Sequence, residues 1–99
     1  MKAEVEEIYD SLASDPDDDL WLVRTAILHQ LRYRLDTDAD RLFRYCLAQA
    51  GHRDFFVRKA IGWSLREYGK SAPDAVRAFV TAHRDALSGL SVREALKNL

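Results

Sequence analysis

The chain is poor in the residues that cross-link or interrupt a fold: its 99 positions include one cysteine, two prolines and four glycines. A lone Cys46 cannot close an internal disulfide, and its setting among Leu42, Phe43, Tyr45 and Leu47 marks it as a core thiol rather than a nucleophile. No apolar run approaches the ~20 residues of a membrane span, which excludes a transmembrane helix. The N-terminus carries Glu4, Glu6 and Glu7 where a signal peptide would be basic and then apolar, so a cytoplasmic protein is expected. His29, His52 and His83 are far apart and no Cys/His spacing resembles a zinc module, so no metal is expected. Gly-rich phosphate loops and nucleophile elbows are absent too, and no cofactor is implied.

What is present is a soluble composition, 47% hydrophobic and 31% charged, with a net charge of -1 that conceals a strong polarity. Residues 1–19 carry eight carboxylates against Lys2, whereas residues 20–99 carry fourteen Lys and Arg against eight acids. The length fits a single domain over 1–99, with a short acidic N-terminal helix at 2–13 and a basic body at 20–99. A basic body suits phosphate binding.

Apolar spacing predicts six helices, near 2–13, 19–34, 38–50, 54–69, 72–84 and 91–98, and no segment alternates as a strand would. The breaks fall at Asp15-Pro16-Asp17, Asp36-Thr37, Gly51, Gly69 and Ser88-Gly89. Ser71 with Pro73 suits a helix start, and Ser91 with Glu94 fits a capping box.

Internal similarity decides the architecture. Val23-Arg24-Thr25-Ala26-Ile27 recurs as Val57-Arg58-Lys59-Ala60-Ile61 and as Val92-Arg93-Glu94-Ala95-Leu96, and Leu31-Arg32 recurs as Leu65-Arg66. Val, Ala and Ile or Leu at i, i+3 and i+4 form one buried stripe on the second helix of each pair. The expected fold is therefore an all-α, HEAT-like (ARM-type) α–α superhelix of about six helices in three antiparallel pairs, with a concave binding surface. The N-terminal helix, with Val5, Ile8, Tyr9 and Leu12 on one side, is placed to cap the stack, and an exposed end repeat offers a face for self-association.

Trp63 does not belong to the stripe of its helix. At 100° per residue it stands about 130° from the Val57, Ala60, Ile61, Leu65 and Tyr68 side. There it joins Lys59, Arg66 and Lys70. An indole in a row of cations either packs on a neighbouring helix pair or forms an aromatic and cationic reader of nucleic acid. Trp21 and Arg24 lie one turn apart on one face of the second helix. The repeated arginine has a structural reading as well, as a ladder residue pairing with Asp19 or Asp54.

The stretches Leu20-Trp21-Leu22-Val23-Arg24-Thr25-Ala26-Ile27-Leu28-His29-Gln30-Leu31 and Asp54-Phe55-Phe56-Val57-Arg58-Lys59-Ala60-Ile61-Gly62-Trp63-Ser64-Leu65-Arg66-Glu67-Tyr68 resemble the AlkD-like alkylpurine DNA glycosylases. Leu87-Ser88-Gly89-Leu90-Ser91-Val92-Arg93-Glu94-Ala95-Leu96 looks like the end of that family's chain. The resemblance implies a HEAT-like concave face for alkylated duplex DNA, and hydrolysis of the N-glycosidic bond of cationic bases without the usual flipping into a pocket. It places Arg24 and Trp63 at the family's active-site arginine and one of its tryptophans; Lys59 and Arg66, which flank Trp63 on the same helix face, are then expected as phosphate contacts, and Trp21 stands beside Arg24. The family's catalytic aspartate, preceded at four residues by a tryptophan, has no match here. That implies roughly the last two-fifths of a family member, truncated or non-catalytic unless one of Asp17, Asp18 or Asp19 substitutes; these acids suit a loop and helix N-cap better. The rival expectation is a HEAT-like protein-interaction scaffold without DNA activity.

Overall fold

The computed structural model describes residues 7–12, 19–97 and 99. Expectations that fall on Val5, on the Asp15-Pro16-Asp17 break and on Asp17 and Asp18 lie outside them. Helix α1 covers the described residues 7–12. It is followed by α2 (Leu20–Leu28), a 3-10 turn (Arg34–Asp36), α3 (Ala39–Ala48), α4 (Phe55–Gly69), α5 (Pro73–Ala82) and α6 (Gly89–Leu96). Among the described residues there is no strand, and the fold is all-α, an α–α superhelix. No described helix is long and apolar enough to cross a membrane.

The repeated stripe builds the core. Val23, Ala26, Ile27, Val57, Ala60, Ile61 and Ala95 are buried, and Val92 and Leu96 pack against them half-buried. The three helices that carry the stripe run side by side in one direction. Arg24 of α2 meets Phe56 near the start of α4, and Ser91 Oγ at the start of α6 donates to the Arg58 carbonyl at 2.8 Å. Helix α3 crosses behind α4 in the opposite sense, Phe43 against Tyr68 and Cys46 against Ser64. Phe79 of α5 stacks on Phe43 at 4.2 Å to continue that outer layer. Antiparallel pairing within a repeat and parallel stacking between repeats give the superhelix.

Helix α4 and α6 approach most closely at Gly62. A Cβ there would lie 2.5 Å from Glu94 Cβ and 3.1 Å from the Ser91 carbonyl, so only glycine fits. Helix α1 is tied down by Asp10, which accepts from Arg41 Nε at 3.0 Å, Arg44 at 3.2 Å and the Tyr45 hydroxyl. Arg41 holds the Asp10 carboxyl below the usual carboxylate range, assisted by the Tyr45 hydrogen bond. Burial, and then the bond to Asp10, pushes the Tyr45 phenol up.

Three helix ends differ from the sequence expectation. The second helix stops at Leu28 rather than near 34, because the buried Gln30 side chain turns back to bond the backbone of Asp38. Helix α6 starts at Gly89, since Ser88 rather than Ser91 is the N-cap and accepts from Ser91 N at 3.1 Å. Ser91 is buried and spends its hydroxyl on α4. At α5 the start is made by Pro73 at the first turn, with Ala72 as a cap residue that offers no side-chain bond.

Candidate functional site

Asp19 opens α2 by accepting from Trp21 N at 2.9 Å and Leu22 N at 3.3 Å. This cap satisfies orphan N–H groups and fixes where α2 begins, so that Trp21 and Arg24 emerge one turn apart at its exposed end. Asp54 does the same for α4 by accepting from Val57 N at 3.0 Å. Because α2 and α4 run in parallel, their first turns meet, and Phe55 and Phe56 come up beside Arg24.

The resulting cluster is cationic and aromatic. The Arg24 guanidinium lies 5.6 Å from the Trp21 ring and 5.2 Å from the Phe56 ring. Trp21 is 69% exposed and Phe56 57%, so both rings present open surface. Arg24 Nε is buried without a hydrogen-bond partner, and Arg24 forms no ion pair among the described residues. Asp19 and Asp54 direct their carboxylates to helix N-termini, so neither makes the ladder pair considered for Arg24 and Arg58. A buried donor without an acceptor costs about 1–3 kcal/mol. Arg24 also lines a groove of about 330 Å³ together with Tyr9, Trp21, Thr25, Leu28 and His29. His29 is held there by its Nδ1 donating to the Ala26 carbonyl at 2.7 Å and by stacking on Tyr9.

Trp63 opens into a different groove, of about 520 Å³, with Leu31, Arg32, Arg34, Glu67 and Lys70. At 38% exposure it keeps more than a third of its surface open. The row of cations predicted around it divides in space. Lys59 is exposed and lies 5.8 Å from the Phe55 ring. Lys70 shares the groove with Trp63, and Arg66 turns towards α6, where it pairs with Glu94 at 3.2 Å. The structure thus brings Trp21 and Arg24 together, sets Lys59 over the Phe55 ring, places Trp63 further along α4 and engages Arg66 elsewhere.

Sequence reasoning did not single out Phe55, Phe56, Arg32 or Arg34 as site residues. The Phe pair carried a usable signal, because two adjacent aromatics at a helix start cannot both face the core. The other chemistry-bearing groups are structural. The Cys46 thiol is pushed up to about 12 by burial, so it is no nucleophile near neutral pH. Among the described residues no group of three or more His, Cys, Asp or Glu is arranged to hold a metal ion.

By fold, then, the chain is an α–α superhelix in which helices α2 and α4 bring Arg24 to the aromatic rings of Trp21 and Phe56. It belongs to the DNA alkylation repair enzyme family, whose model matches residues 2–99. It is similar to the solved structure of a predicted DNA alkylation repair enzyme from Enterococcus faecalis, at 32% identity with a TM-score of 0.87. The match covers 99% of this chain and 44% of that one, so the chain spans less than half of that relative's length. None of the curated proteins compared with the chain matches it.

Proposed function

We propose that the chain belongs to the alkylpurine DNA glycosylase lineage and binds duplex DNA with alkylated bases on the face built by Trp21, Arg24, Lys59 and Trp63. The observation that carries this reading is Arg24, a guanidinium 5.6 Å and 5.2 Å from two exposed rings and in no ion pair among the described residues. The terminal amino groups of Arg24, which no described residue accepts from, are the donors that a phosphodiester oxygen can reach, and the charge-assisted bond they make is roughly twice as strong as a neutral one. Trp21, Phe56 and Trp63 offer apolar surface to sugars and bases, and Lys59 a further charge. Arg66 contributes a phosphate contact only by sharing its guanidinium with Glu94.

These residues grip rather than hydrolyse. Cleaving an N-glycosidic bond requires a carboxylate near the sugar to stabilise developing positive charge. Asp19, the described carboxylate nearest Arg24 in sequence, is occupied in capping α2.

The test is a titration of alkylated and undamaged duplexes at several salt concentrations, with an assay for released alkylbase. Binding with a log–log salt slope of about −0.9 per phosphate contact is expected. Arg24→Ala should weaken it about tenfold, which is ~1.4 kcal/mol. Base release abolished by Asp19→Asn would restore a catalytic reading, and the absence of salt-dependent binding would overturn the DNA reading. A second reading, a HEAT-like scaffold for another protein, is favoured by the exposed Leu20, Trp21, Leu22, Phe55 and Phe56. It requires that DNA affinity be insensitive to both Arg24→Ala and salt.

A further inference from the structure

The groove beside Trp63 has a charge balance of its own. Lys70 Nζ donates to Glu67 Oε1 at 2.8 Å, which nearly neutralises that side of the groove. Arg32 and Arg34, on the facing wall, form no ion pair among the described residues. Two guanidiniums therefore set its net sign.

Arg34 is also the one described non-glycine residue with positive φ, at 53°. Side chains other than Asn, Asp and Gly are uncommon in this left-handed region because Cβ crowds the carbonyl. The loop that carries it is pinned rather than free to relax. The Gln30 side chain accepts from Asp38 N at 2.7 Å and donates to the Asp38 carbonyl at 3.1 Å, closing the loop across eight residues. The Tyr33 and Arg34 carbonyls accept from Asp36 N and Thr37 N inside it. A position that suits glycine thus carries a long cation, on a loop fixed at both ends, beside an aromatic wall. Strain retained in this way is found where a side chain has work to do.

The geometry points to this groove as a second phosphodiester-binding site for duplex DNA, with Arg32 and Arg34 as its cationic ligands and Trp63 as its apolar wall. The inference rests on the duplex-binding reading above and extends it to a separate point on the backbone. Along α4 about 10 Å of helix rise separates Phe56, at the Arg24 cluster, from Trp63, and about 21 Å separates it from Lys70 at the far side of this groove, so the groove continues the face that Trp63 shares with Arg24.

The test is fluorescence anisotropy of a labelled duplex across a salt series, with urea unfolding in parallel, on wild type, Arg34→Gly and the Arg32→Ala/Arg34→Gly double variant. Arg34→Gly should leave the urea midpoint unchanged or raised, because glycine accepts the left-handed backbone. It should weaken duplex binding about 3–10-fold and make the salt slope shallower by about 0.9, and the double variant by about twice that. A lowered midpoint would assign Arg34 a structural role and overturn the proposal. So would wild-type slope and affinity retained in the double variant, an outcome that leaves the Arg24 reading intact. Failure of wild type to bind the duplex at any salt would instead remove the reading beneath it. In a separate arm, inorganic phosphate is titrated at constant ionic strength; binding of it that depends on Arg34, without an effect of Arg34 on the duplex, would reject DNA as the source of the phosphate.

Discussion

Gly62→Ala sets two effects of opposite sign against each other. Alanine in a helix interior is favoured over glycine by about 0.8–1.0 kcal/mol, so at an exposed site the change would stabilise α4. At this position the new methyl lies 2.5 Å from Glu94 Cβ and 3.1 Å from the Ser91 carbonyl, atoms that cannot swing aside as a side-chain tip can. Relief requires α6 to move off α4 by about an ångström, at an overpacking cost of roughly 1–3 kcal/mol. The same movement stretches the 2.8 Å bond from Ser91 Oγ to the Arg58 carbonyl, worth about 1 kcal/mol more. The gross cost of about 2–4 kcal/mol exceeds the propensity gain, leaving a net destabilisation of about 1–3 kcal/mol. Urea unfolding followed by circular dichroism should show the midpoint falling by about 1–2.5 M, for an m-value a little above 1 kcal/mol/M. Adding Glu94→Ala should not rescue the variant, since that change removes the carboxylate and keeps the Cβ. A midpoint that rises, or a rescue by Glu94→Ala, would refute the close-approach account of Gly62.

Three further outcomes are expected. Asp10 has a depressed pKa in the folded chain, so its contribution is fully present above the unfolded value near ~3.9 and is lost as pH falls through the lower folded one. Tyr45→Phe should cost about 1 kcal/mol at neutral pH and flatten the acid limb of a stability–pH curve, while the wild type loses stability above about pH 10 as the unfolded phenol ionises; an unchanged acid limb would deny Tyr45 its bond to Asp10. Gln30→Leu deprives the Asp38 backbone of two bonds and should cost about 1–3 kcal/mol, with faster limited proteolysis inside residues 31–37, whereas protection equal to wild type would show that the loop is held by something else. The Cys46 thiol should label with a neutral-pH thiol reagent only at the rate of global unfolding, and rapid labelling of the native chain would contradict its burial.

The stripe at 23, 57 and 92 was legible because it depends on one helix at a time: Val, Ala and Ile at i, i+3 and i+4 face one way whatever lies opposite. That periodicity led to the α–α superhelix and to the part of the core made by Val23, Ala26, Ile27, Val57, Ala60, Ile61 and Ala95. Features set by a neighbour were not legible. The second helix ends early because Gln30 finds Asp38 eight residues on. Ser88 and Ser91 are both plausible caps until Arg58 claims the hydroxyl of Ser91. Gly62 reads as a weak point in a helix until Glu94 is seen against it. A left-handed Arg34 has no signature at all, since arginine is not a residue that favours that conformation.

The candidate site divides along the same line. Trp21 and Arg24 meet because they are one turn apart on one helix, and the sequence already contained that spacing. Phe56 joins them only because α2 and α4 run in parallel with their first turns level, a consequence of the 34-residue repeat that no single-helix projection displays. Arg66 shows the limit most sharply. Helical geometry places it on the Trp63 side of α4, yet Glu94, a residue of the next helix, draws its guanidinium away. That pair is three-quarters buried, so removing either partner leaves a poorly solvated charge. A DNA phosphate must therefore compete with Glu94 for Arg66, whereas at Arg24 it meets a guanidinium in no ion pair among the described residues, and this difference ranks Arg24 above Arg66 as a contact.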